Sequence, residues 1–180
     1  GLERSGTSML MQILYAGGIP VAFDKSRSPD QSNPKGYYEL EGGKIINKLM
    51  DGEFQLNKYK GLFIKITSYG LKYLPPGNYK IIYSERNIEE ILDSMEKMAD
   101  ITDNKREETK KSFIKLNNMM KNNIRNREDM EVLFVNYKDM LYQPSNNIKK
   151  IHAFLGYPEV DLEKMIKAVD KKLYRQRRNL

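Results

Sequence analysis

The chain opens on GLERSGTSML, and residues Gly1 to Ser8 fit the spacing G-x-x-x-x-G-T-S. Two glycines that let the backbone turn sharply, a threonine and a serine at the head of an apolar-periodic stretch, and one arginine inside the loop describe an anion cradle. Backbone N–H groups in such a loop, with the N-terminus of the helix that follows, hold a phosphate or a similar group. The lysine that would reach the β and γ phosphates of a nucleoside triphosphate is replaced by Thr7, which removes the main argument for ATP or GTP hydrolysis. Arg4 compensates from within the loop, and Thr7 and Ser8 add two hydroxyl donors. The loop therefore suits a smaller anionic group with a leaving oxygen to neutralise. A glycine and serine loop that merely caps a helix is the plain alternative.

A second cation with chemical potential is Lys65, which interrupts the apolar run LFIKI. It can point at an anionic group in the site, or it can be an edge-strand lysine that discourages strand pairing. Other chemistries are excluded by composition. There is no cysteine, so no disulfide, thiolate catalysis or cysteine-ligated metal is possible. The single histidine, His152, leaves almost nothing for a histidine metal site and sits beside Phe154 and Leu155 as a packed helical residue. The strand from Lys80 runs out in Ser84, Glu85 and Arg86 and the one from Glu131 in Asn136 and Tyr137, neither an acidic end suited to a phosphate-loop magnesium site, which argues against a kinase. The net charge of +7, concentrated in the C-terminal KKLYRQRRNL, favours an anionic partner or is a solvated basic surface.

These groups must be carried by a framework that the patterning outlines. At 180 residues, 39% hydrophobic and 31% charged, the chain reads as one globular domain, residues 1–180. No apolar run approaches the roughly 18 residues that span a bilayer, and a cytoplasmic location is the expectation. Strand-like runs (IPVAF from Ile19, LFIKI from Leu62, KIIYS from Lys80, EVLFVNY from Glu131) alternate with helical stripes. One helix carries Leu10, Ile13 and Leu14 and should stop at Gly17 and Gly18. Another carries Ile88, Ile91, Leu92, Met95 and Met98 as a core stripe, started by Asn87 with Glu90 in a capping-box arrangement. A third carries Phe113, Leu116, Met120 and Ile124. The alternation predicts an α/β fold with a parallel sheet and helices on both faces. A phosphate loop is normally delivered by a strand, so a first strand before Gly1 is expected to be omitted from this numbering.

RSGTSMLMQIL resembles the 5′-phosphosulfate loop of the sulfotransferases that use 3′-phosphoadenosine 5′-phosphosulfate (PAPS). IIYSERNIEEILDSMEKM resembles that family's 3′-phosphate element, a strand ending in an arginine with a serine eight positions later, here Arg86 and Ser94. VNYKDMLYQPSNNIKKIHAFLGYP resembles its C-terminal strand, helix and FLG.P segment. The resemblance implies a phosphate-loop-like α/β/α domain that moves a sulfuryl group from PAPS, without a metal, to a hydroxyl or amine acceptor. Carbohydrate, peptide, lipid and small-molecule acceptors all fit. Arg4, Ser5, Gly6, Thr7 and Ser8 would hold the 5′-phosphosulfate, Arg4 easing departure of the bridging oxygen. Arg86 and Ser94 would hold the 3′-phosphate; an arginine at a strand end can meet a phosphate bidentately.

Members of the family use a histidine or a glutamate as the base, and His152 is badly placed, so the base should be a carboxylate. SPDQSNPKGYYELEGGK resembles a segment of a bacterial sulfotransferase-like group in which NP.GY.E recurs. Asn33, Pro34 and Gly36 would make a turn, and Glu39 would start the next helix near the donor loop, with Glu41 as second choice. Lys65 would act at the sulfonate or an acidic acceptor, and Arg27 and Lys35 could orient such an acceptor. Tyr174, Arg175, Arg177 and Arg178 would close over the 3′-phosphate. The rival readings are a degenerate phosphate-loop nucleoside or nucleotide kinase and a binding protein without catalysis, with nucleic acid a less favoured partner.

Overall fold

The structure is a computed structural model describing residues 1–176 and 178. Apolar residues three and four apart after the glycine loop build α1 (Thr7–Ala16), with Leu10, Ile13 and Leu14 buried. It stops at the expected pair: the Gly17 N–H reaches the Ile13 carbonyl, and Gly18 takes a φ of +82°, open to glycine at little cost. The remaining helices are α2 (Ile45–Met50), α3 (Ile88–Ala99), α4 (Arg106–Arg125), α5 (Tyr137–Tyr142), α6 (Pro144–Leu155) and α7 (Leu162–Ala168). Proline at the first turn of α6 is well tolerated, because its missing N–H would have no helical partner there.

β-branched and aromatic residues in YKIIYSE and MEVLFVN favour extended backbone. They form β1 (Tyr79–Glu85) and β2 (Met130–Asn136), parallel and in register from Tyr79 opposite Met130 to Glu85 opposite Asn136. Parallel neighbours need a long crossover, supplied here by α3 and α4. Alternation along the strands then divides the core. Ile82, Leu133 and Val135 join Ile13, Leu14, Ile148, Ile151 and Met165 on one face. Ile81, Tyr83, Val132 and Phe134 join Leu49, Leu71, Met120 and Ile124 on the other. Helices α1, α6 and α7 thus cover one face and α2 and α4 the other, the three-layer α/β/α arrangement that the patterning predicts.

Three local expectations are corrected. IPVAF and LFIKI do not form regular strands; they meet in a single parallel bridge, Val21 with Phe63, through Ala22 N–H to the Phe63 carbonyl and Phe63 N–H to the Pro20 carbonyl, both 2.8 Å. Pro20 has no N–H with which to carry the ladder further. A cavity of about 820 Å³ is lined both by this segment, from Leu62 to Ile66, and by β1. Met98 leaves the core stripe: it is 39% exposed and lines the cavity beside the opening loop. Asn87 does cap α3, its side chain accepting from the N–H groups of Glu89 and Glu90. Glu90, however, does not complete a capping box; its carboxylate turns to Arg86 instead.

Tyr83 gives the fold a titration signature. It is fully buried, its hydroxyl donates to Asn117 Oδ1 at 2.8 Å, and burial pushes the phenol from 10.0 up to about 12. Because the folded-state value lies above the unfolded one, this contribution is whole below the unfolded value and is lost as the pH rises through the window up to the folded one. Urea denaturation between about pH 9 and about pH 12 should show stability falling by about 2–3 kcal/mol from this group, and Tyr83→Phe should flatten that part of the slope.

Candidate functional site

The opening loop is shaped by a few backbone constraints. Gly1 lies so close to β1 that a Cβ there would stand 2.1 Å from the Ser84 carbonyl oxygen, and one on Gly6 would stand 2.3 Å from the Tyr137 ring. Gly6 also has a φ of +99°, and Arg4 takes a left-handed φ of +62°, which few non-glycine residues adopt. The Ser5 hydroxyl donates to the Leu2 carbonyl at 2.6 Å, and the Ser84 hydroxyl donates to the Ser5 carbonyl at 2.6 Å. These bonds pin the loop to the end of β1 and direct it into α1. First-turn N–H groups of a helix have no partner within it, so α1 presents a positive terminus to the cavity beside the loop.

That cavity, about 360 Å³, is lined by Arg4, Gly6, Thr7 and Ser8 from the loop and α1, by Glu39 and Lys65, and by Arg86, Ser94 and Arg175. Of the expected loop ligands Ser5 lies outside the lining: its side chain is turned inward, 1% exposed, and already bonded. Its part is to hold the loop, a consequence of the tight turn that spacing alone does not reveal.

Lys65 is buried and reaches the head of α1. Its Nζ donates to Ser8 Oγ at 2.9 Å, the Tyr37 carbonyl at 3.0 Å and Glu39 Oε1 at 2.8 Å, which uses all three ammonium hydrogens. Burial pushes its pKa below the usual lysine value, against the pull of Glu39. Glu39 Oε2 accepts from Arg27 Nη1 at 3.1 Å, and the Arg27 guanidinium lies 3.4 Å from the centre of the Tyr37 ring. The carboxylate is thus held between two cations, one buried and one facing the cavity. Glu39 does not start a helix as expected. Left-handed Gly42 and Gly43 insert a turn, so Glu39 lies ahead of any helix and α2 begins only at Ile45. Gly43 also gives the carboxylate room, since a Cβ there would stand 2.8 Å from Glu39 Oε2. Glu41 points elsewhere, paired with Lys48 at 2.7 Å.

On the far side of the loop, Arg4 Nε donates to Ser94 Oγ at 2.9 Å and Arg86 Nη1 donates to the Arg4 carbonyl at 3.0 Å. Arg86 stacks over Tyr137 and Tyr174, with its guanidinium 4.7 and 5.5 Å from the ring centres. Burial, with the like charge of Arg86 adding to it, pushes Arg4 below the usual arginine value. Buried cations lining a cavity are relieved by an anion bound among them. Of the expected basic tail, Arg175 Nη2 lies 3.4 Å from the Ser32 carbonyl, and Arg178 pairs with Asp93 and Glu89 on α3. Arg177 lies outside the described residues. Lys35 is held by Asp170 at 2.9 Å rather than facing an acceptor.

Several lining residues carry no sequence signal. Tyr137 reaches the loop only because β2 ends beside it, and Ser32 contributes a carbonyl rather than a side chain. His152 donates from Nε2 to the Tyr157 carbonyl, 2.9 Å away, as a packed residue of α6. Among the described residues no three His, Cys, Asp or Glu side chains converge as metal ligands, and no helix is long and apolar enough to cross a membrane.

No curated protein and no solved structure matches the chain. The family model described as sulfotransferase domain matches residues 1–178, which takes in the loop, both strands and the site together. With a phosphate-loop-like α/β/α fold, and that match over nearly its whole length, the chain belongs to the sulfotransferase family.

Proposed function

We propose that the protein transfers a sulfuryl group from PAPS to a hydroxyl or amine acceptor and releases adenosine 3′,5′-bisphosphate. The observation that carries this reading is that one cavity joins two cationic sites, the loop with the head of α1 and the Arg4, Arg86 and Ser94 group. A donor with a 5′-phosphosulfate and a 3′-phosphate matches that pair; a nucleoside triphosphate, with its charge in one chain, does not. Backbone N–H groups of Gly6, Thr7 and Ser8 would hold the 5′ end. Lys65 reaches the head of α1 through its bond to Ser8, so we assign it to the bridging oxygen, which would take over the hydrogen now given to Ser8 as the S–O bond breaks. Arg4, drawn to Ser94, then serves the 3′ side rather than the leaving group.

Glu39 would take the acceptor proton as the acceptor oxygen forms its new bond to sulfur, in line with the bond that breaks. Arg27 covers Oε2, so the acceptor must draw it aside to reach the carboxylate.

Calorimetric titration tests this reading. Adenosine 3′,5′-bisphosphate should bind the protein at least about tenfold more tightly than AMP, and Arg86→Ala should remove most of that difference, as expected for one charge-assisted phosphate contact. Preference for ATP with magnesium would support a kinase instead, and equal binding of the bisphosphate and AMP would end the case for a 3′-phosphate site.

A further inference from the structure

Glu90 is a buried carboxylate with no part in the scheme above. Its side chain is 5% exposed and that of Arg86, four residues earlier, is 8% exposed. Glu90 Oε2 accepts from Arg86 Nε at 3.1 Å. Oε1 accepts from the Tyr174 hydroxyl and, at 3.2 Å, from the backbone N–H of Arg178. Arg86 in turn donates from Nη2 to the Gln176 carbonyl at 3.0 Å. One carboxylate therefore joins the arginine that follows β1 to Tyr174 and Arg178, and the arginine itself holds Gln176. Ser94 stands one helical turn further along α3 from Glu90 and receives Arg4.

The bonding leaves a definite remainder. An arginine has five N–H donors in a planar fork. Arg86 uses one on Glu90, one on the Arg4 carbonyl and one on the Gln176 carbonyl, which leaves two for a ligand in the cavity. Planar bidentate recognition works only if the fork is held at a set angle. The Tyr137 and Tyr174 rings limit its tilt, and Glu90 fixes its rotation.

We infer that Glu90 is the positioning residue of the 3′-phosphate site: held in turn by Tyr174 and the Arg178 N–H, it sets the angle of the Arg86 fork, so that the two remaining Arg86 donors meet the 3′-phosphate. This rests on reading Arg86 as the 3′-phosphate ligand. A carboxylate that only stabilised the fold would support every nucleotide equally, whereas this one acts on the 3′-phosphate alone.

The test is calorimetric titration of the wild type, Glu90→Gln, Tyr174→Phe and the double variant with adenosine 3′,5′-bisphosphate and with AMP, alongside thermal melts. Glu90→Gln should bind the bisphosphate about tenfold more weakly and AMP within about twofold of wild type, because the charge-assisted hold of the carboxylate on both Arg86 and Tyr174 is weakened. Tyr174→Phe, which keeps the ring over Arg86 and releases the hydroxyl latch, should lose about threefold, and the double variant should be no worse than Glu90→Gln because the hydroxyl acts on the site through the same carboxylate. Equal losses for both nucleotides in Glu90→Gln, or losses that simply add in the double variant, would overturn the assignment. So would full discrimination retained by Glu90→Gln. A wild type that fails to tell the bisphosphate from AMP overturns the donor reading and the assignment with it, which separates the two failures.

Discussion

Glu39→Gln should lower sulfuryl-transfer turnover by about 10²- to 10⁴-fold, the usual contribution of a positioned general base, while affinity for adenosine 3′,5′-bisphosphate stays within about twofold. Glutamine keeps the length and planarity of the side chain, and its one amide oxygen can still accept from buried Lys65, at 2.8 Å in the native pair, while its NH2 takes the place of Oε2 and gives up the bond from the more exposed Arg27. It cannot take a proton. Geometry and donor binding are therefore preserved and only the proton transfer is removed, so the loss should fall on kcat rather than on donor KM. Steady-state kinetics with a radiolabelled sulfuryl donor, on any acceptor that turns over, measures both. Unchanged turnover would remove Glu39 from the reaction. A parallel loss of bisphosphate binding would recast it as a support for Lys65 and the head of α1.

Lys65→Met should cost about 10²- to 10³-fold in kcat, the scale seen when one preorganised donor to a developing charge is removed. Its pH dependence is the sharper signature. Burial holds the Lys65 ammonium below the ordinary lysine value of 10.5. If the ammonium form stabilises the leaving oxygen, activity is whole at pH values below this depressed pKa and is lost as the pH rises through it. The kcat profile should therefore descend on its alkaline side earlier than a solvent-exposed lysine would dictate. Lys65→Arg keeps the charge and does not titrate below about pH 12, so it should retain part of the activity and lose that alkaline limb. An alkaline limb unmoved in Lys65→Arg would assign it to another group.

Local features were readable because they depend on neighbours in the chain. The Gly17 and Gly18 stop, the Asn87 cap and the strands YKIIYSE and MEVLFVN follow from short-range periodicity and backbone preference. Arg86 and Ser94 were also within reach, since a strand end and the second turn of the helix that follows are fixed relative to each other by one short connection. Where a segment depended on distant partners, the same reasoning fell short. IPVAF and LFIKI have the composition of strands, yet pair only through one bridge. Glu39 looked like a helix start, but the two left-handed glycines after Glu41 delay the helix to Ile45.

By itself the sequence determined the anion-cradle spacing, the absence of cysteine, the α/β alternation and the membership of the family. These are properties of residue type and order. Tertiary structure alone decided which charged groups meet: Lys65 with Glu39 across 26 positions, Arg4 with Ser94 across 90, and Tyr174 with Glu90 across 84. It also turned Ser5 inward, gave Lys35 to Asp170, and gathered Arg86, Glu90 and the C-terminal residues into one network. The physical reason is that an ion pair or hydrogen bond is set by distances of about 3 Å between side chains, and those distances arise only when the layers pack.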